Sequence, residues 1–280
     1  MDRYPLEGVE VWINEKNKFL IYQCHWSADT SKRDGYIDDI KASMPIQQFN
    51  QEFEIQWETF IGKPVYMDWV KNVHSTGEEI HPHTGLPLLL GIDQGLMPAC
   101  IVAQMQGDTL AVLREYTAIN MGAERFSDMV KKDLMTRYPA WDRWDTDYIT
   151  FMDPAGFNKK DTDETTYASI WSKAGFRPKP GAMGWEKRRS SVEHFLTKST
   201  KTGPCLKVSR PGCPTLIKGF DGGFRYPENA FNVEPSKIRP LKDEHSHPHD
   251  GFQYLCSGIL GKSKTKRSLV PEPQYRVGVR

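Results

Sequence analysis

The run LPLLLGID at residues 86–93 constrains this chain more than any other feature. It is the longest apolar stretch, far short of the roughly 18 residues that span a bilayer, and it closes on an aspartate. A strand with one wet face alternates polar and apolar residues. An unbroken apolar run of this length is expected of a strand buried on both faces. Such a strand lies inside a sheet covered by helices, which predicts an α/β fold.

The flanking sequence supports that class. ACIVAQM and TLAVLREYTA, joined by the turn QGD, continue the first strand into a three-stranded meander. FSDMVKKDLMTRY sets Phe126, Met129, Val130, Leu134 and Tyr138 at helical spacing. DYITFMD is a further strand, again ending in aspartate. ETTYASIWSKAGF reads as a helix closed by Gly175, WEKRRSSVEHFL as a helix with a basic face, CLKVS as a strand and HDGFQYLCSGIL as a closing helix that opens at Asp250. The first 70 residues differ: VEVWINEKNKFLIYQCHW alternates like a hairpin, helical pieces follow, and HSTGEEIHPHTG reads as a linker. The expected division is an N-terminal extension over 1–75, a main domain over 76–262 and a basic tail over 263–280.

Composition narrows the class. With 38% hydrophobic and 26% charged residues over 280 positions, the chain suits a soluble globular protein. The opening MDRYPLEGVEVW lacks the layout of a signal peptide. Five cysteines at irregular positions (24, 100, 205, 213 and 256) point to reduced thiols in a cytosolic setting. The net charge of +1 conceals an asymmetry. Residues 171–210 carry ten Lys/Arg against Glu186 and Glu193, whereas residues 141–170 carry seven acids against Arg143, Lys159 and Lys160. A basic segment beside an acidic one suits an enzyme that binds a polyanion at a carboxylate site, or simply two solvated faces.

Three aspartates are placed where an open α/β sheet gathers its functional groups. Asp93 ends the first buried strand, Asp153 ends the later one, and Asp250 opens the last helix. Each alone reads equally well as a cap or turn residue. Together they would repel unless neutralised, and hard divalent cations take oxygen ligands. The set suits two Mg²⁺ or Mn²⁺ ions about 4 Å apart, one preparing a water and the other stabilising the leaving oxygen of a phosphodiester. Glu115 either leans into this site or pairs with Arg114. Consecutive Lys187, Arg188 and Arg189 fan over a wide helical arc and are candidate phosphate contacts.

Other chemistries fit less well. His245, His247 and His249, with His81 and His83, could serve zinc, but alternation on an extended segment sends neighbouring side chains to opposite faces. Cys205 and Cys213 are eight apart, unlike the knuckles of structural zinc sites. No G-x-S-x-G is present, and Cys100 lies in a predicted buried strand.

GIDQG, then DPAG, then HxHxxDGFQY, over residues 85–260, resembles the C-terminal nuclease domain of tailed-phage terminase large subunits. The resemblance implies a ribonuclease H-like fold and a metal-dependent endonuclease that cuts concatemeric phage DNA. It places the acid set on Asp93, bridging both ions, with Asp153 holding one and Asp250 the other. Gly251 departs from the family, which usually has alanine there. FNQEF and VYMDWV further resemble the stretch that joins the packaging ATPase to the nuclease. Double-stranded DNA, the terminase small subunit, the packaging ATPase and the portal are the implied partners, and the host cell cytoplasm the implied location, with no membrane contact. No phosphate-binding loop G-x-x-x-x-G-K-[ST] occurs in these residues: at GILGKS its first glycine would fall on Cys256. ATP hydrolysis is therefore not expected of them, whether the chain is a nuclease half, a fragment or a split gene product. A junction resolvase, an RNA–DNA hybrid nuclease and a non-catalytic module docking a motor to a portal are the rival readings.

Overall fold

The structure is a computed structural model that describes residues 7–13, 18–32, 35–43, 49, 52–55, 62–159, 165–201, 203–227 and 238–263. The basic tail, most of the NEKNK turn and part of FNQEF lie outside the described residues. Two compact units result, Met1–Lys63 with Pro227–Val233 and Pro64–Tyr226 with Glu234–Arg280. The smaller contains the expected hairpin: β1 (Val9–Ile13) pairs antiparallel with β2 (Leu20–Cys24), Val9 opposite Cys24. Helix α1 (Tyr36–Ser43) buries Ile37.

The larger unit opens with α2 (Lys71–His74) and the two-residue β3 (Ser75–Thr76), the strand lying within the stretch that reads as a linker. Next come β4 (Leu88–Asp93), β5 (Ala99–Gln106), β6 (Thr109–Thr117), α3 (Ala123–Arg137), β7 (Tyr148–Met152), α4 (Tyr167–Lys173) and β8 (Pro178–Pro180). Helix α5 (Trp185–Thr197), the hairpin β9 (Ser199–Thr200) with β10 (Gly203–Pro204), β11 (Leu206–Ser209), α6 (Pro214–Lys218) and α7 (Ser246–Ser263) complete it. Seven strands form one sheet in the order β3-β11-β6-β5-β4-β7-β8. The β4–β5–β6 meander is antiparallel; β7 runs parallel to β4, and β11 parallel to β6. Strand β8 reads Pro-Lys-Pro and takes the sheet edge, where missing backbone donors are tolerated.

The run that opened the sequence is buried on both faces. Leu88, Leu90 and Ile92 enter a core beneath α3 and α4, while Leu89 enters the opposite core beneath α5 and α7. Period-two alternation therefore puts Gly91 and Asp93 on the α7 side. Helix α7 lies directly on β4 through Gly251 and Leu255 and on the neighbouring β7 through Gly258, a stripe at i, i+4 and i+7. A Cβ on Gly91 would come within 2.2 Å of the Gly251 carbonyl and 2.6 Å of Leu255 Cβ, and one on Gly258 within 2.2 Å of the Phe151 ring. A Cβ on Gly251 would sit 3.0 Å from the Gly91 carbonyl, a far smaller intrusion. Gly91→Ala should therefore cost about 3 kcal/mol. Gly251→Ala should be near neutral, because alanine returns about 1 kcal/mol of helix propensity. Urea unfolding of the two variants measures the difference.

The helix also starts earlier than the sequence reading has it. It begins at Ser246 with Pro248 inside the first turn, a position that tolerates proline. Asp250 thus sits one turn inside, and His247 and His249 are helical, not extended. His249 is a core residue. Its ring stacks on Phe224 at 4.6 Å and meets Phe220 edge-on at 4.5 Å, and Nε2 donates to the Leu216 carbonyl at 3.1 Å. Burial holds its pKa down to about 3, with His245 adding to the effect and the Leu216 carbonyl opposing it. In the unfolded chain the ring protonates near its ordinary 6.5. Between those values the unfolded state binds more protons, so stability is complete above the unfolded pKa and falls as the pH drops. Going from about pH 7 to pH 5 should remove roughly 2 kcal/mol. His249→Phe, which keeps the stack, should flatten that part of a urea-midpoint profile.

Candidate active site

Strand register brings the first two aspartates together. Strands β4 and β7 run parallel with Ile92 opposite Met152, and the Asp153 amide donates to the Ile92 carbonyl at 3.1 Å. Asp93 and Asp153 therefore leave neighbouring strands side by side at their C-terminal ends. Asp153 Oδ1 accepts the Ala155 amide at 3.0 Å and caps the 3₁₀ turn Pro154–Phe157, so the turn reading and the site placement hold for one residue. Asp250 arrives from above, because Gly251 rests against Gly91 and the Asp93 amide.

Each deeply placed carboxylate has a basic partner. His247 Nδ1 donates to Asp93 Oδ2 at 2.9 Å. Asp250, its side chain only 4% exposed, accepts Arg188 Nη1 through Oδ1 at 3.1 Å and Lys242 Nζ through Oδ2. Arg188 also donates to the Tyr254 hydroxyl at 3.0 Å, and its guanidinium lies over the Tyr254 and Trp185 rings at 5.0 and 5.8 Å. Burial raises the Asp93 pKa; the charge of Asp250 adds to this, and His247 and Lys242 oppose it. Burial also raises the Tyr254 hydroxyl, against the pull of Arg188 and with the help of Asp153, Asp250 and Asp93. One tyrosine thus feels all three carboxylates.

Among the described residues no three His, Cys, Asp or Glu side chains are close enough to ligate one ion as they stand. The donor chemistry nevertheless fits a hard divalent cation: carboxylate oxygens predominate, and Asp250 already attracts two cationic side chains. Asp93, Asp153 and Asp250 would hold such ions. The histidines part company. His247 faces Asp93, His249 faces the aromatic core, His245 packs on Gly223, and His81 and His83 are exposed on the loop before β4.

The basic helix α5 is divided in the same way. Lys187 is exposed; Arg188 turns inward to Asp250; Arg189 pairs with Glu186 at 3.1 Å and Glu193 at 3.2 Å. The spacing of Trp185, Arg188, Val192 and Phe195 marks the inward stripe and was the available signal for Arg188. For His247 the signal was its i, i+3 relation to Asp250 on a longer helix. Glu115 takes neither role expected of it. Its oxygens accept the Thr215 and Leu216 amides at 2.6 and 2.7 Å, capping α6, and burial raises its pKa against those bonds. Arg114 instead lies 3.5 Å from Asp133.

No family model matches the chain, and no curated protein does. Solved structures do. The large terminase of a thermophilic bacteriophage superposes with a TM-score of 0.54 at 12% identity, over 85% of this chain and 55% of that one. The complex of that terminase with ADP gives 0.56 at 11% identity, over the same shares. The P22 large terminase nuclease domain gives 0.51 at 12% identity, over 70% of this chain and 92% of that domain. The chain thus spans about half the length of the thermophilic phage protein. Its mixed seven-stranded sheet flanked by helices has the ribonuclease H-like fold of the P22 large terminase nuclease domain.

Proposed function

We propose that this chain is a divalent-metal-dependent DNA endonuclease of the terminase type, cutting concatemeric viral DNA during genome packaging. The observation that supports the reading is the placement of Asp93 and Asp153 at the C-terminal ends of two adjacent parallel strands, with Asp250 on the helix that packs on the first of them. Two Mg²⁺ or Mn²⁺ ions would supply the activated water and offset charge on the leaving oxygen. The protein's own part is positional. Strand register sets Asp93 beside Asp153, the glycine contact sets Asp250 above them, and His247 orients the Asp93 carboxylate. Lys187, exposed on α5, is the basic residue of that helix best placed for DNA phosphates, with Arg188 and Arg189 engaged by acids. Double-stranded DNA, a small terminase subunit, a packaging ATPase and a portal are the proposed partners, in the host cell cytoplasm. No helix of the described residues is long and apolar enough to cross a membrane.

The test sets supercoiled plasmid, a four-way junction and an RNA–DNA hybrid side by side with Mn²⁺. Cleavage of the plasmid irrespective of junctions supports the terminase reading. Exclusive cleavage of the junction or of the hybrid transfers the site to a resolvase or a hybrid nuclease.

A further inference from the structure

We infer that Lys242 is a resident counter-ion that holds Asp250 in the metal-free protein, yields it to a divalent ion, and then serves a DNA phosphate. This rests on the nuclease reading above and adds a step to it. The two cations on Asp250 are built differently. Arg188 is 14% exposed, lies over two aromatic rings and is tied to the Tyr254 hydroxyl as well as to Asp250. It is a fixed strut. Lys242 is 66% exposed, and among the described residues its ion-pair partner is the Asp250 carboxylate.

The backbone on either side of Lys242 is pinned. The Leu241 amide donates to the Arg225 carbonyl at 2.9 Å. Asp243 accepts the His245 amide at 3.0 Å and the Ser246 hydroxyl at 2.8 Å, closing the start of α7. Swinging the side chain alone releases Asp250, with no change in the chain's course. Arg188 and Lys242 together offset two of the three carboxylate charges, which is enough to let the acids lie close without a metal. With ions present the same ammonium is surplus positive charge beside the anionic site, and it moves toward the anion that approaches, a backbone phosphate. A flexible lysine suits such an exchange better than a forked arginine.

Two measurements on the full chain test this. Mn²⁺ titrated calorimetrically into Lys242→Gln without DNA should bind roughly fivefold more tightly than into wild type, the scale of one partly exposed ion pair. Duplex binding with non-reactive Ca²⁺ should then show a log-affinity against log-salt slope shallower by about one in the variant. Without the ion the slopes should agree, because Lys242 is then engaged by Asp250. Equal or weaker Mn²⁺ binding by the variant, or equal slopes with Ca²⁺, overturns the inference and leaves the nuclease reading standing. If neither protein binds Mn²⁺, that reading falls and takes this one with it.

Discussion

Asp93→Asn should abolish DNA cleavage while the protein folds and binds duplex as before. The side chain is nearly isosteric and keeps an oxygen for His247 Nδ1, so the 2.9 Å contact and the packing of α7 survive. Under the proposed mechanism the loss is of the carboxylate charge beside Asp153, and with it the ability to bring cations to the scissile phosphate. Losing even an outer partner of a metal ligand typically costs about 10- to 100-fold; losing the central carboxylate should exceed that. Because burial and Asp250 already press Asp93 toward its neutral form, removing its charge relieves repulsion. The variant should unfold at the same or higher urea. Cleavage within a few-fold of wild type would remove Asp93 from the mechanism.

Trp171→Ala should be the most damaging change outside the acid set. The indole is fully buried on α4, meets Phe176 at 5.3 Å and Phe126 at 6.0 Å, and donates Nε1 to Gln94 Oε1 at 3.0 Å. Truncation leaves a large cavity in the core beneath α3 and α4 and should cost about 3–5 kcal/mol. It also frees Gln94, the residue after Asp93, so activity should fall in the fraction that stays folded. Trp171→Phe separates the two effects: it keeps most of the volume and should lose about 1–2 kcal/mol with the indole donor. Equal unfolding midpoints for the alanine variant and wild type would contradict this packing.

What the sequence revealed and what it concealed follow from the range of the forces involved. LPLLLGID announced itself because a strand buried on both faces must be apolar throughout, and its terminal aspartate stood out against that background, as did the one that closes the strand-like DYITFMD. Helix α7 was legible from its apolar stripe. Its start was not, because His245–Pro248 reads as a loop until the early proline is seen to fit a first turn. That one-turn shift decides which histidine meets a carboxylate: His249, beside Asp250 in sequence, faces the core, and His247 reaches Asp93. Strand β8, with two prolines in three residues, and the two-residue β3 exist only because a neighbouring strand pairs with them. Glu115 could be assigned only once α6 was known to lie over β6. Lys242 meets Asp250 through a fold in the chain that local pattern does not encode.

Nicking of supercoiled plasmid in Mn²⁺ and in excess chelator tests most directly the proposal that the three carboxylates act with divalent ions on DNA. The prediction is cleavage in Mn²⁺, none in chelator, recovery on adding Mn²⁺ back, and none at any concentration with Asp93→Asn, Asp153→Asn or Asp250→Asn. Cleavage that persists undiminished in chelator, or in any one of those variants, would contradict it.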